Sequence, residues 1–316
     1  MELVDRMLSG SRQALAQLIS QVESDLPQAA EIMKDIHPHI HSTYTIGITG
    51  PPGAGKSTVV DKLTAQLRQD GKRVGIIAVD PTSPFSQGAF LGDRIRMQQH
   101  YLDDGVYIRS MATRGSLGGL PTSTWRVIKI MDAFGFDIIL VETVGVGQVE
   151  VDIAEAADTT IVILVPEAGD TIQTMKAGLL EIADILVVNK ADREGADHLA
   201  TQLQGMLRMN EDKASWKTPV LLTQAAHNIG IDQLYRRFQE HHRFLHDSGR
   251  FAQRHSEQRR AEFIGTIELG VKAQIKEMLE KQGDLKNYME AVEKGELDPY
   301  SAAMQVHLAI RNKLTK

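Results

Sequence analysis

Eight residues near position 50 constrain the fold more than any other stretch: Gly50-Pro51-Pro52-Gly53-Ala54-Gly55-Lys56-Ser57. They follow the short β-branched apolar run Tyr44–Thr49 and open a segment with a 3.6-residue apolar period through Val59, Val60 and Leu63. A glycine-rich turn between a strand and a helix curls its backbone N–H groups towards an anion, and the helix N-terminus adds positive potential there. At the spacing G-x-x-x-x-G-K-[ST], Lys56 reaches β- and γ-phosphates and the Ser57 hydroxyl is placed for Mg²⁺, with Thr58 next in the cradle. The turn predicts a nucleotide site on an α/β fold.

The rest of the chain repeats that alternation. Apolar runs rich in β-branched residues recur at 73–79, 106–110, 137–141, 159–165, 184–188 and 219–223, separated by helix-length periodic segments such as 57–69, 122–133, 171–182 and 230–244. Strands that read as continuous apolar runs between helices imply a sheet covered on both faces. The expected architecture is α/β, a doubly wound, mostly parallel sheet over 43–248. A helical extension at 1–42 precedes it, and a helical segment at 249–316 follows. In that last segment Phe263, Ile267, Val271, Ile275 and Met278 form one narrow stripe on an otherwise polar helix, which suits either core packing or a dimer seam. Asp298-Pro299 offers an N-cap followed by proline at the first helical position.

Composition removes whole classes of function. A hydrophobic fraction of 42% and a charged fraction of 24% are those of an ordinary globular protein. The net charge of −6 leaves no broad basic footprint, so nucleic acid is excluded as the main ligand. Cysteine is absent, which excludes disulfides, iron–sulfur clusters, Cys-zinc sites and thiol catalysis. Apolar runs such as 161–166 fall far short of the ~20 residues that span a bilayer. The start MELVDRMLSG has no signal-peptide pattern, so the cytoplasm is the expected compartment.

A second motif selects the base. Asn189-Lys190-Ala191-Asp192 directly follows the run 184–188. A carboxylate at Asp192 accepts from both N1–H and the 2-amino group of guanine, whereas adenine would leave it unpaired, a loss of ~10⁴-fold or more. Lys190 can lay its stem over the base and Asn189 can tie the loop to the phosphate cradle. Thr223-Gln224-Ala225 occupies the slot of the S/T-S-A loop that touches guanine O6 in G-proteins, with Gln224 in place of the usual serine. The expected ligands are GTP and GDP.

Asp80 and Glu142 end apolar runs, so both carboxylates emerge at the C-terminal edge of the sheet, where open α/β folds bind ligands. Glu142-Thr143-Val144-Gly145 stands where Ras-type proteins carry D-x-x-G: the carboxylate is a Mg²⁺ ligand candidate and the Gly145 N–H a γ-phosphate contact. Asp93, in a Gly/Ser/Pro-rich loop, suits a switch and metal role and equally suits an N-cap for the following helix. Gln148 is a candidate to orient water. Arg94, Arg96 and Arg114 are candidates for an arginine finger, none of them secure.

Taken together, Gly50–Ser57, Val79-Asp80-Pro81-Thr82-Ser83, Leu91-Gly92-Asp93-Arg94, Glu142-Thr143-Val144-Gly145-Val146-Gly147-Gln148, Arg114-Gly115-Ser116-Leu117-Gly118-Gly119 and Pro166-Glu167-Ala168-Gly169-Asp170 resemble the MeaB/ArgK GTPases, over nearly the whole chain. That resemblance implies the GTPase class of the signal-recognition-particle proteins and nickel chaperones. It implies a homodimer joined through C-terminal helices, with Lys56, Asp80, Asp93 and Glu142 as working residues and 167–176 as an extra switch. It implies slow GTP hydrolysis without a partner. That partner would be a B12-dependent acyl-CoA mutase of the methylmalonyl-CoA type, together with the cobalamin adenosyltransferase as a further contact. The GTPase would gate adenosylcobalamin loading and protect the mutase. Two other readings compete: a kinase linked to lysine/arginine/ornithine transport, and a nickel-insertion GTPase. The alternating His37, His39 and His41 would serve the latter but read better as a solvated connector. His241-His242 reads as a wet helix face.

Overall fold

The structure, a computed structural model, describes residues 2–24, 26–80, 98–112, 122–143, 149–166, 178–209, 216–281 and 283–314. Three helices come first: α1 (Glu2–Leu8), α2 (Arg12–Ser24) and α3 (Leu26–Ile36). Strands and helices then alternate as β1 (Tyr44–Thr49), α4 (Lys56–Gln69), β2 (Val74–Asp80), β3 (Val106–Ala112), α5 (Thr122–Phe134), β4 (Ile138–Thr143), α6 (Val149–Ala156), β5 (Thr159–Leu164), α7 (Gly178–Glu181), β6 (Ile185–Val188), α8 (Ala196–Met209), β7 (Val220–Leu222) and α9 (Ile231–Asp247). The chain continues through α10 (Arg250–Lys281), α11 (Gly283–Glu293) and α12 (Pro299–Leu314).

The seven strands form one sheet in the order β3-β2-β4-β1-β5-β6-β7, and every pairing is parallel. All residues of β1, β4, β5 and β6 are buried, as their apolar runs require once helices cover both faces. One face packs Ile46, Ile48, Leu140 and Ile161 against Val59, Leu63 and Phe238 of α4 and α9. On the other, Ile77, Val79, Ile139 and Val141 share a core with Ile153, Val127 and with Met7, Leu15, Leu18 and Ile19 of the N-terminal helices. The first forty residues are therefore a structural layer of the sheet. Polar ties reinforce it: Arg109 pairs with Glu23 at 2.5 Å, and Arg126 donates to the Val22 carbonyl at 3.1 Å.

The chain divides into two compact units, 1–259 and 260–316. In the first, α10 begins against the sheet. Arg254 donates to the Asp184 carboxylate at 3.2 Å and to the Asp158 carbonyl, and His255 Nε2 lies 2.9 Å from Asp158 Oδ1. His241 joins this network and corrects its expected solvent exposure: the side chain is fully buried, with Nδ1 2.6 Å from Thr159 Oγ1 and Nε2 3.4 Å from Asp184 Oδ1. Burial, helped by the Arg254 charge, pushes the His241 imidazole down to about 3. Its neighbour His242 is half-buried. In the second unit, the Asp298 carboxylate accepts from the N–H groups of Tyr300 and Ser301 at 3.0 and 2.9 Å, the cap that Asp298-Pro299 predicts for α12. Phe263, Ile267 and Val271 are 67%, 48% and 48% exposed, whereas Ile275 and Met278 of the same α10 stripe are half-buried.

Candidate nucleotide-binding site

The strand order sets the site. Placing β4 between β2 and β1 brings the ends of three strands side by side, with Ile48 level with Glu142 and Ala78 level with Glu142 from the other side. The turn after β1 then lies beside the ends of β4 and β2, with Glu142 one residue before the end of β4. Local geometry of that turn demands glycine twice. Gly50 has φ +138°, and a Cβ there would lie 2.0 Å from the Ile163 carbonyl oxygen; Gly55 has φ +88°, and a Cβ would lie 2.4 Å from Asn189 Nδ2. The chain passes the Ile163 carbonyl of β5 and the Asn189 side chain just after β6 too closely for a Cβ.

Beyond Gly55, α4 starts without a side-chain cap, and a helix N-terminus is a ready site for an anion. Lys56 is buried, and its ammonium donates to the carbonyls of Gly50 and Pro51 at 2.8 and 3.0 Å, which holds the positive charge within the loop. The Ser57 hydroxyl donates to Glu142 Oε1 at 2.6 Å, both side chains being buried. A hydroxyl and a carboxylate in contact form a set of hard oxygen donors, the set Mg²⁺ takes from proteins while keeping most of its waters. Beneath them Thr143 Oγ1 and Thr49 Oγ1 are 2.8 Å apart and fully buried, tying the ends of β4 and β1 together. Neither threonine stands out in the sequence, where a strand-end threonine is unremarkable.

At the base end, Asn189 bridges two loops. Its Nδ2 donates to the Ala54 carbonyl at 2.9 Å, while its Oδ1 accepts from Thr223 Oγ1 at 3.0 Å and from the Ala225 N–H at 3.1 Å. The Ala191 N–H donates to the Thr223 carbonyl at 3.0 Å, joining the loops after β6 and β7. Lys190 adopts φ +55°, turning the chain so that Asp192 is exposed at the rim. Gln224 uses its backbone N–H and carbonyl to bridge Ile229 at 3.0 and 3.2 Å, so its backbone shapes this loop. Pro51, Pro52, Gly53 and Thr58 complete the cradle and the first turn of α4. Asp80 closes β2, but its side chain lies outside the described residues. Asp93, Gly145 and Gln148 lie outside them altogether, as do Arg94, Arg96, Arg114 and 167–176.

The family description "Methylmalonyl Co-A mutase-associated GTPase MeaB" matches residues 15–280. This chain belongs to the MeaB family. Among relatives of this MeaB-family GTPase, a protein of Pyrococcus abyssi named as a GTPase is 52% identical over 96% of this chain and 94% of its own. The mouse protein "Methylmalonic aciduria type A homolog, mitochondrial" is 32% identical over 79% of this chain and 65% of its own. The solved structure of an "LAO/AO transport system kinase" superposes with a TM-score of 0.70 at 26% identity, over 98% of this chain and 97% of that one. The fold is accordingly the P-loop GTPase α/β fold, with the cradle of Gly50–Ser57 and the Asn189 loop at the same sheet edge. His37, His39 and His41 are exposed on and after a short 3-10 turn, and among the described residues no three His, Asp or Glu side chains gather to hold a metal.

Proposed function

We propose that this chain hydrolyses GTP to GDP and phosphate, and that it does so as a chaperone of a B12-dependent acyl-CoA mutase, gating adenosylcobalamin loading and protecting the loaded enzyme. The observation that carries the nucleotide half is the Asn189 bridge. One buried side chain joins the phosphate cradle at Ala54 to the base loop at Thr223 and Ala225, so triphosphate and base subsites are held as one cleft. Asp192 at the rim of that cleft is the acceptor for guanine N1–H and the 2-amino group. Lys56 holds charge against the β- and γ-phosphates. Ser57 and Glu142 would hold Mg²⁺, with Asp80 and Asp93 as further acidic candidates; when bound, the ion neutralises phosphate charge. Gly145 would meet the γ-phosphate and Gln148 would orient water.

The mutase half rests on the family, whose description names that association, and on the mouse relative's name. Segments 91–97 and 167–176 are the partner-facing switches in this reading, and the exposed stripe Phe263, Ile267 and Val271 supports a homodimer seam. In this reading turnover without the partner should stay at ~10⁻⁴–10⁻² s⁻¹, the range of G-proteins to which no arginine finger has been supplied. The test is GTP turnover with and without the B12-dependent mutase of the same organism, following both free phosphate and any labelled acceptor. Stimulation with release of free phosphate supports the chaperone. Phosphate transferred to a transport protein would favour the kinase that the solved relative's name describes. No stimulation at concentrations where mutase and GTPase co-migrate would overturn the mutase assignment.

A further inference from the structure

The last turns of α9 carry two histidines that the nucleotide cleft does not use. His242 and His246 stand one helical turn apart, so their imidazoles leave the same face of the helix. The two Nε2 atoms are hydrogen-bonded at 3.0 Å, through a proton that a bound cation would displace, with ring centroids at 4.7 Å and ring planes at 74°. Both rings are wedged by aromatic neighbours. His242 lies 4.0 Å from the Tyr44 ring, and His246 stacks on Phe251 at 4.3 Å with planes 23° apart. Packing of this kind fixes side-chain torsions before a ligand arrives and removes much of the ordering entropy of binding. His246 is exposed and His242 half-buried, so the pair opens to solvent. Tyr44 begins β1, whose other end runs into the cradle, which puts this pair at the opposite edge of the sheet from the nucleotide.

We propose that His242 and His246 form a chelate for a divalent transition cation, Cu(II) or Ni(II) in preference to Zn(II). Imidazole nitrogen binds such cations at ~2.05 Å, and two nitrogens 3.0 Å apart then subtend roughly 94° at the cation. That is the cis angle of square-planar and octahedral coordination, the geometries of Cu(II) and Ni(II) with nitrogen ligands. A tetrahedral zinc would set the nitrogens at about 3.3 Å, further apart than they stand here. Among the described residues no third His, Asp or Glu completes a cluster, so water fills the remaining positions.

The exposed imidazoles of His37, His39 and His41 would compete for such cations in a titration, so the test removes them first. The full chain carrying His37→Ala, His39→Ala and His41→Ala is titrated with copper, nickel or zinc chloride in a non-chelating buffer, by calorimetry and, for copper, electron paramagnetic resonance. One equivalent is expected, with copper tightest, nickel tighter than zinc, and a two-nitrogen copper spectrum. Adding His246→Ala, at an exposed position that leaves the fold and GTP turnover intact, should weaken binding more than about tenfold, because losing even an outer-sphere partner costs 10–100-fold. Binding that disappears with the triplet alone, or survives His246→Ala unchanged, overturns the site. Zinc binding as tightly as nickel overturns the geometric preference.

Discussion

Replacing Asn189 should separate the two halves of the nucleotide cleft. Asn189→Ala deletes the bonds to Ala54, Thr223 and Ala225, and all three partners are buried. A buried polar group left unpaired costs ~1–3 kcal/mol. Water entering the vacated volume recovers part of that, so the net loss should be about 2–4 kcal/mol rather than the simple sum. For a unit of this size 1 kcal/mol moves Tm by ~2–4 °C, which puts the expected drop on the order of 10 °C. Nucleotide affinity should fall as well, because the bridge aligns the loops that hold base and phosphate; each 1.4 kcal/mol falling on the bound state is about tenfold in Kd. GDP and GTP should weaken together, by about tenfold or more, since both carry the base and the β-phosphate. Asn189→Asp separates the contributions. It keeps acceptors for Thr223 and Ala225 but sets a carboxylate oxygen against the Ala54 carbonyl, so the base loop survives while the cradle loses its tether. Differential scanning fluorimetry gives the Tm, and calorimetry with GDP gives the affinity. A lowered Tm with GDP affinity within twofold of the parent in both variants would show that Asn189 is structural only, and the coupling argument would fail.

Three further outcomes are expected. Lys56→Ala should abolish tight nucleotide binding, whereas Glu142→Ala should weaken Mg²⁺ dependence and turnover more than GDP affinity; equal losses in Glu142→Ala, measured by calorimetry and phosphate release, would remove it from the metal. Asp192→Asn should relax the preference for guanine towards xanthine nucleotides, and equal GTP and ATP affinities in the parent protein would contradict the guanine assignment. His241 titrates near 6.5 when unfolded and is pushed down to about 3 when folded, so the unfolded chain takes up its proton first and stability falls as pH drops through that window. The slope is at most ~1.4 kcal/mol per pH unit from this group; His241→Gln should flatten Tm against pH between about 6.5 and 3, and an unchanged slope would place the sensitivity elsewhere.

What could be read from the amino-acid order is what is local. The cradle is one turn long, and the φ values it needs at Gly50 and Gly55 are available only to glycine, so the motif announces itself. The strands are visible because burial on both faces makes each a run of apolar residues, and β1 falls at Tyr44–Thr49 as its run does. The cap at Asp298 is visible because a cap and its helix are adjacent. Everything that depends on who packs against whom belongs to the tertiary structure. Periodicity marks 1–40 as helical but does not name the face of β2, β3 and β4 it covers. The contact of Ser57 with Glu142 spans 85 residues, and that of Thr49 with Thr143 spans 94. Both exist only because β4 lies next to β1. His241 shows the limit most clearly: its own helix offers a polar-looking pair of histidines, and its burial follows from Thr159, Asp184 and Arg254, which arrive from β5, the turn before β6 and α10. A residue's chemical type is fixed by its codon, but its dielectric surroundings and partners are set by distant chain, and these decide whether a histidine is wet, buried or paired.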